Sequence, residues 1–149
     1  MNRREQIKLT PEEQTTFLKE TRKVALATIG KDGYPHLVAM NYIAIDGVIY
    51  MSSYGKAQKV LNIRRNPKVA VMAESGKSYS QLRGVMIRGE CEIIEDQKRV
   101  LELMGAIRAG DTGASTPTIP EQVFTKRVIL KVVPKKITSW DHSKLGGRY

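Results

Sequence analysis

Residues 23–54 read KVALATIGKDGYPHLVAMNYIAIDGVIYMSSY. Three apolar runs rich in β-branched residues are separated by KDGYP and by DG, both tight-turn signals, so the spacing predicts a three-stranded antiparallel meander. The last run, VIYM (48–51), is apolar without interruption and suggests a buried strand.

The residues that follow have a different character. In SSYGKAQKVLNIRRNPKV (52–69) there are five basic residues from Lys56 to Lys68 (Lys56, Lys59, Arg64, Arg65, Lys68) and no acid. A Ser/Gly turn and a short helix are predicted, ended by Asn66-Pro67 because a residue before proline avoids the helical region. Lys56 and Lys59 are three apart and share a face in the first turns. A helix start exposes unpaired N–H groups, and Ser52 and Ser53 add hydroxyl donors, a combination suited to phosphate. The plain alternative is a solvated basic face.

Before the meander, LTPEEQTTFLKET (9–21) carries Thr10 as N-cap, Pro11 at the first helical position and Glu13 to complete a capping box. This helix is expected to cover the core rather than fill it. Beyond residue 67, KVAVMAES (68–75) and SQLRGVMIRGECEII (80–94) read as strands. The second alternates Ile87, Gly89, Cys91 and Ile93 with Arg88, Glu90 and Glu92. EDQKRVLELMGAIRAG (95–110) has helical spacing at Val100, Leu103, Met104 and Ile107. After the loop DTGASTPTIP (111–120), RVILKVVPKKITSWD (127–141) is the last strand, with Val128, Leu130 and Val132 on one face. Six antiparallel strands with two or three peripheral helices give a mainly β single domain over 1–149, and barrel closure is the economical way to remove exposed edges.

A chain of 149 residues can bury one sizeable core without disulfides or metals. Its 25 Lys and Arg against 15 Asp and Glu leave a net charge of +10. The excess is uneven: residues 126–149 hold Lys126, Arg127, Lys131, Lys135, Lys136, Lys144 and Arg148 against Asp141 alone. Such a surface attracts nucleic acid, anionic lipid or a phosphorylated or polycarboxylate small molecule. Cys91 is the single cysteine, so no internal disulfide forms and a reducing compartment fits. MNRREQIKLT lacks the apolar core of a signal peptide, and no run nears the roughly 20 apolar residues that span a bilayer. A cytoplasmic protein with no membrane segment is expected.

Catalytic motifs are missing. There is no G-x-S-x-G, P-loop or Rossmann glycine pattern. His36 and His142 have no neighbouring ligand set and fit surface or hydrogen-bonded roles, and Cys91 fits a small core residue. With no catalytic side-chain set, any enzymatic chemistry falls to a cofactor.

The order VALATIGKDGYPHLVAMNYIAIDGVIYMSS, KAQKVLNIRRNPKVAVM, LRGVMIRGECEIIED resembles the pyridoxamine-phosphate-oxidase-like flavin-binding split barrels over about residues 10 to 141. It is most similar to the small flavin- and deazaflavin-dependent reductases, whose helix pattern K-x-x-N-[LI]-R-R-[ND]-P-x-V is matched by Lys59 to Val69. The resemblance implies a homodimer with two cofactor sites at the subunit interface. It puts the cofactor phosphate near Ser52, Ser53, Lys56 and Lys59, and the tricyclic ring along Met40, Asn41 and Tyr42. It also implies Asn62 as a cofactor-binding residue, with Arg83 and the tail around Trp140 approaching from the partner chain. The segment ITSWDHSKLGGRY does not carry the substrate-phosphate arginine pattern of the true oxidases, which points away from vitamin-B6 chemistry.

Two cofactors suit this frame. FMN offers one terminal phosphate, whereas the deazaflavin coenzyme F420 offers a phosphodiester and a poly-γ-glutamate tail. The five bases at 56–68, with Arg3, Arg4 and Lys8, suit the longer anion, so the expected function is an F420-dependent reductase passing hydride to a small unsaturated or heteroaromatic acceptor. An FMN-dependent oxidoreductase, a flavin carrier, a haem-binding split barrel and a nucleic-acid-binding small barrel are the alternatives. Few aromatics, and a basic run placed on a helix, speak against the last.

Overall fold

A computed structural model describes residues 2–112 and 125–148. Seven strands form one antiparallel sheet: β1 (Lys23–Ile29), β2 (Pro35–Asn41), β3 (Ile43–Ile45), β4 (Val48–Tyr54), β5 (Lys68–Ser75), β6 (Arg83–Ile94) and β7 (Arg127–Asp141). The helices are α1 (Arg3–Gln6), α2 (Pro11–Glu20), α3 (Gln58–Arg65) and α4 (Gln97–Thr112). The expected loop at 111–120 lies outside the described residues from 113 onward.

The order across the sheet is β2-β1-β5-β6-β7-β4-β3. The stretch 23–54 is therefore not one meander but two hairpins, β1–β2 and β3–β4, at opposite ends of the sheet. Seven strands replace the expected six because the middle apolar run breaks at Tyr42. That side chain is only 3% exposed; its hydroxyl donates to the Leu18 carbonyl at 2.7 Å, and its N–H donates to the Arg22 carbonyl at 3.2 Å. Strands β2 and β3 are the two sheet edges, yet a single residue joins them. The sheet must curl until its edges approach at Tyr42, and it stays open where they diverge. The result is a mainly β, antiparallel split barrel with peripheral helices.

The turns behave as their residues require. Asp46 and Gly47 both take positive φ, 51° and 78°, as a two-residue hairpin turn demands. In the β6–β7 ladder the register shifts between Arg88 and Gly89, and a Cβ at Gly89 would collide with the Val133 carbonyl. Glycine lets the bulged strands approach there.

Inside the barrel, Leu26, Met51, Val71, Ile87 and Leu130 pack in one cluster. Helix α2 contributes Phe17 and Leu18 to the same cluster, so it fills the core as well as covering it. Thr10 and Glu13 form the capping box expected from their spacing, and Lys144 reaches Glu13 at 2.7 Å. That contact, with the Thr10 N–H, holds the Glu13 carboxyl below its usual range. A second cluster lies outside β4 and β7, where Val100, Leu103, Met104 and Ile107 of α4 cover Tyr50 and Ile129. Burial on both faces is why VIYM reads as an unbroken apolar run. No helix among the described residues is long and apolar enough to cross a membrane.

Candidate cofactor site

Where the barrel stays open, a cleft of about 380 Å³ lies between β2, β4 and the outer helix α4. Strand β2 supplies Ala39, Met40 and Asn41; β4 supplies Ser52, Ser53 and Tyr54. Lys59 enters from the first turn of α3, Arg127 from the start of β7, and Met104, Ile107 and Arg108 from α4. As an edge strand bonded only to β1, β2 leaves alternate backbone N–H and C=O groups unpaired by the sheet.

The cleft is electrostatically one-sided. Lys59 and Arg127 both line it, and neither pairs with a carboxylate among the described residues. Burial first, then the charge of Arg127, pushes the Lys59 ammonium below its usual pKa. Ser52 Oγ and Arg127 Nε are both buried without a hydrogen-bond partner. Buried polar atoms are normally satisfied, so unsatisfied donors beside uncompensated cations fit an anionic ligand such as a cofactor phosphate. Larger grooves of about 700 and 910 Å³ flank the β1–β2 turn and the N-terminal segment, but neither gathers such a set. The first has one unpaired buried atom, His36 Nδ1. In the second, Ser139 Oγ accepts from the Leu9 N–H at 3.1 Å, and Lys8 pairs with Glu5.

Of the residues proposed from the sequence, Met40, Asn41, Ser52, Ser53 and Lys59 come together here. Lys56 is exposed and does not line the cleft. Tyr42 points into the core against α2. Asn62 is fully buried: its Nδ2 donates to Thr28 Oγ1 at 3.0 Å and its Oδ1 accepts from Gln58 Nε2 at 2.8 Å. Arg83 lies over the Phe17 ring at 5.1 Å and 3.7 Å from the Glu20 carboxylate. Trp140 pairs in register with Gly84, where a Cβ would collide with its indole. Arg83 and Trp140 lie at the opposite end of the β6–β7 ladder from Arg127, and neither lines this cleft. Cys91 is 5% exposed, and burial followed by the nearby Glu92 charge pushes its thiol up to about 12, which suits a core residue rather than a nucleophile.

Sequence reasoning missed Tyr54, Arg127 and the α4 wall. Arg127 was visible only as one of many C-terminal bases. Its place follows from the β4–β7 register, which pairs it with Tyr54.

A curled antiparallel sheet with a cation-lined cleft along its open seam is the architecture of a flavin-binding split barrel. The family model for pyridoxamine 5'-phosphate oxidase matches residues 10–141, and the chain belongs to that family of flavin-binding oxidoreductases. Among solved structures, a conserved hypothetical protein from Mycobacterium tuberculosis is 37% identical, with 100% of this chain and 95% of that one covered and a TM-score of 0.88. An F420 reductase is 28% identical over 87% of this chain and 98% of its own, with a TM-score of 0.67. An FAD-binding protein from Mesorhizobium loti is 22% identical over 88% and 94%, with a TM-score of 0.69, and shows the shared fold. No protein of curated function matches the chain.

Proposed function

We propose that this protein is a reductase that uses the deazaflavin coenzyme F420 to pass hydride to a small unsaturated or heteroaromatic acceptor. The observation that carries this is the cleft itself: two uncompensated cations and an unsatisfied hydroxyl beside the free edge of β2. The 28% identity to an F420 reductase over nearly its whole length supports the deazaflavin over FMN. When bound, the cofactor supplies the hydride chemistry. The chain's own residues would bind and orient it: Lys59, Arg127 and Ser52 would hold the anionic end, and the backbone groups at Ala39–Asn41 on the free edge of β2 would be available to the ring. Met104 and Ile107 shield the site from water. Alignment of donor and acceptor, rather than an acid or base, is what the protein must provide.

The site is completed, in this proposal, by a second copy of the chain. Ala39, Ala25, Met72, Met86 and Thr138 form one uncharged row across the outer face of five strands. Leu37, 69% exposed, and Met72, 37% exposed, stand on that face without cover. Ala39 belongs to both the row and the cleft, so a copy seated on the face would wall the cleft and could bring its Arg83 and Trp140 to the rim. FMN in the same cleft is the second possibility, favoured by the family itself. Steady-state assays with reduced F420 and a panel of nitroaromatic and enone acceptors, on protein whose mass is read by light scattering, test the proposal. Turnover by a species of twice the chain mass is expected; a fully active monomer contradicts the shared site, and no turnover with any acceptor contradicts the reductase.

A further inference from the structure

Strand β4 pairs with β7 only between Arg127 and Val132, so the second half of β7 has a free edge on that side. The N-terminal segment packs along this edge: the Asp141 N–H donates to the Ile7 carbonyl at 2.7 Å, and the Leu9 N–H donates to Ser139 Oγ at 3.1 Å. Segment and strand leave a groove of about 910 Å³ that shares no residue with the cofactor cleft. Three features give it a chemistry. Trp140 lines it, and its indole lies so close over Gly84, the cross-strand residue, that a Cβ there would collide with the ring. The indole is thus seated on the β6 backbone, a fixed platform of the kind that stacking uses. Arg4 and Lys136 also line the groove, and neither pairs with a carboxylate among the described residues, whereas Lys8 beside them is matched by Glu5. The third feature is His142, whose Nδ1 lies 2.9 Å from the Tyr79 carbonyl and whose ring meets the Tyr79 ring edge-on at 4.5 Å. A carbonyl can only accept, so in the neutral imidazole Nδ1 carries the proton and Nε2 is left as an acceptor.

We propose that this groove binds a planar aromatic carboxylate that also carries an N–H or O–H donor. Its ring stacks on Trp140, its carboxylate meets Arg4 and Lys136, and its donor bonds His142 Nε2. In the dimer proposed above, Trp140 reaches the rim of the partner's cleft, and there the ligand's class is that of the hydride acceptor. This role rests on that proposal; the binding itself does not, because every residue of the groove comes from one chain.

Trp140 is the only tryptophan in the chain, so its emission reports on this groove alone. Cofactor-free protein is titrated with para-amino-meta-nitrobenzoate, whose nitroaromatic ring quenches indole emission, and with two isosteres: the corresponding benzamide, which lacks the charge, and para-methyl-meta-nitrobenzoate, which lacks the donor. Calorimetry repeats each titration, and the melting temperature of each variant is its folding control. Saturable quenching by the first probe is expected, with several-fold weaker binding of each isostere. Combined Arg4→Ala and Lys136→Ala should remove the preference for acid over amide. His142→Phe, which keeps a ring against Tyr79, should remove the preference for the amino over the methyl probe and leave the preference for charge. Unsaturable quenching without heat, equal affinity for acid and amide in wild type, or a His142→Phe variant that still prefers the amino probe overturns the proposal. Displacement of the probe by free γ-linked triglutamate also overturns it, since the groove would then serve an aliphatic polyanion. If a variant does not fold, the isosteres on wild type decide. Steady-state turnover of the same nitroaromatic acids with reduced F420 separates the two readings. Binding as expected without turnover leaves the groove assigned and the reductase proposal contradicted; turnover whose KM is unchanged by the Arg4 and Lys136 substitutions overturns the acceptor role.

Discussion

Replacing Lys59 with alanine is expected to weaken cofactor binding roughly ten- to a hundredfold, the loss of one charge-assisted hydrogen bond worth about 1.5–3 kcal/mol. The same change should leave the ligand-free protein as stable as wild type or more so. Lys59 is held where burial and Arg127 both disfavour its charge, so its removal relieves a cost. The pH dependence has opposite signs for the two quantities. Anion affinity should fall as pH rises through the lowered Lys59 pKa, earlier than for an ordinary lysine near 10.4. Ligand-free stability should rise over the window from that lowered value to the unfolded one, because the unfolded chain there binds more protons. Asn62 provides the contrasting case. Asn62→Ala strands the buried Thr28 hydroxyl and should cost about 1–3 kcal/mol of stability while leaving cofactor affinity nearly unchanged. Fluorescence titration and urea unfolding of both variants check this; a Lys59 variant that is destabilised yet binds normally would mark the residue as structural.

Phe17→Ala should cost about 3–5 kcal/mol, the usual loss for truncating a buried aromatic, and a large share of the roughly 5–15 kcal/mol that a domain has in total. Phe17 is 2% exposed and sits in the barrel cluster with Leu18, so its removal leaves a cavity that the curled sheet cannot close. Arg83, stacked over the ring at 5.1 Å, loses its platform as well. The midpoint in urea should drop without a change in slope. A loss below about 1 kcal/mol would mean that α2 merely lies against the barrel.

Which parts of this were legible in the sequence follows from how local each signal is. The span of β7, 127–141, and the capping box at Thr10 and Glu13 read directly, because alternation and capping depend on neighbours a few residues apart. The break at Tyr42 did not, since HLVAMNYIAI is locally continuous and only the packing of one tyrosine against α2 divides it. Strand order is likewise non-local, and it alone pairs Arg127 with Tyr54 and separates both from Arg83 and Trp140. Asn62 shows the limit of motif carry-over. The family resemblance implies it as a ligand, yet its buried amide bonds Thr28, Gln58 and Arg65 and does not line the cleft.

The central claim, that this cleft holds a deazaflavin by its anionic end, is tested most directly by titrating ligand-free protein with F420 and with FMN across a salt series, following absorbance and fluorescence. Each glutamate carboxylate neutralised along the basic surface adds a screened contribution of about 0.2–1 kcal/mol. Affinity for F420 should therefore rise with glutamate number and decline with salt as exposed charges are screened beyond about 10 Å at 0.1 M. FMN, whose one phosphate would sit in the cleft, should respond less. Tighter binding of F420 at low salt, with the gap narrowing as salt rises, is the predicted result; tighter binding of FMN at every salt concentration, with protein that purifies yellow, would contradict it.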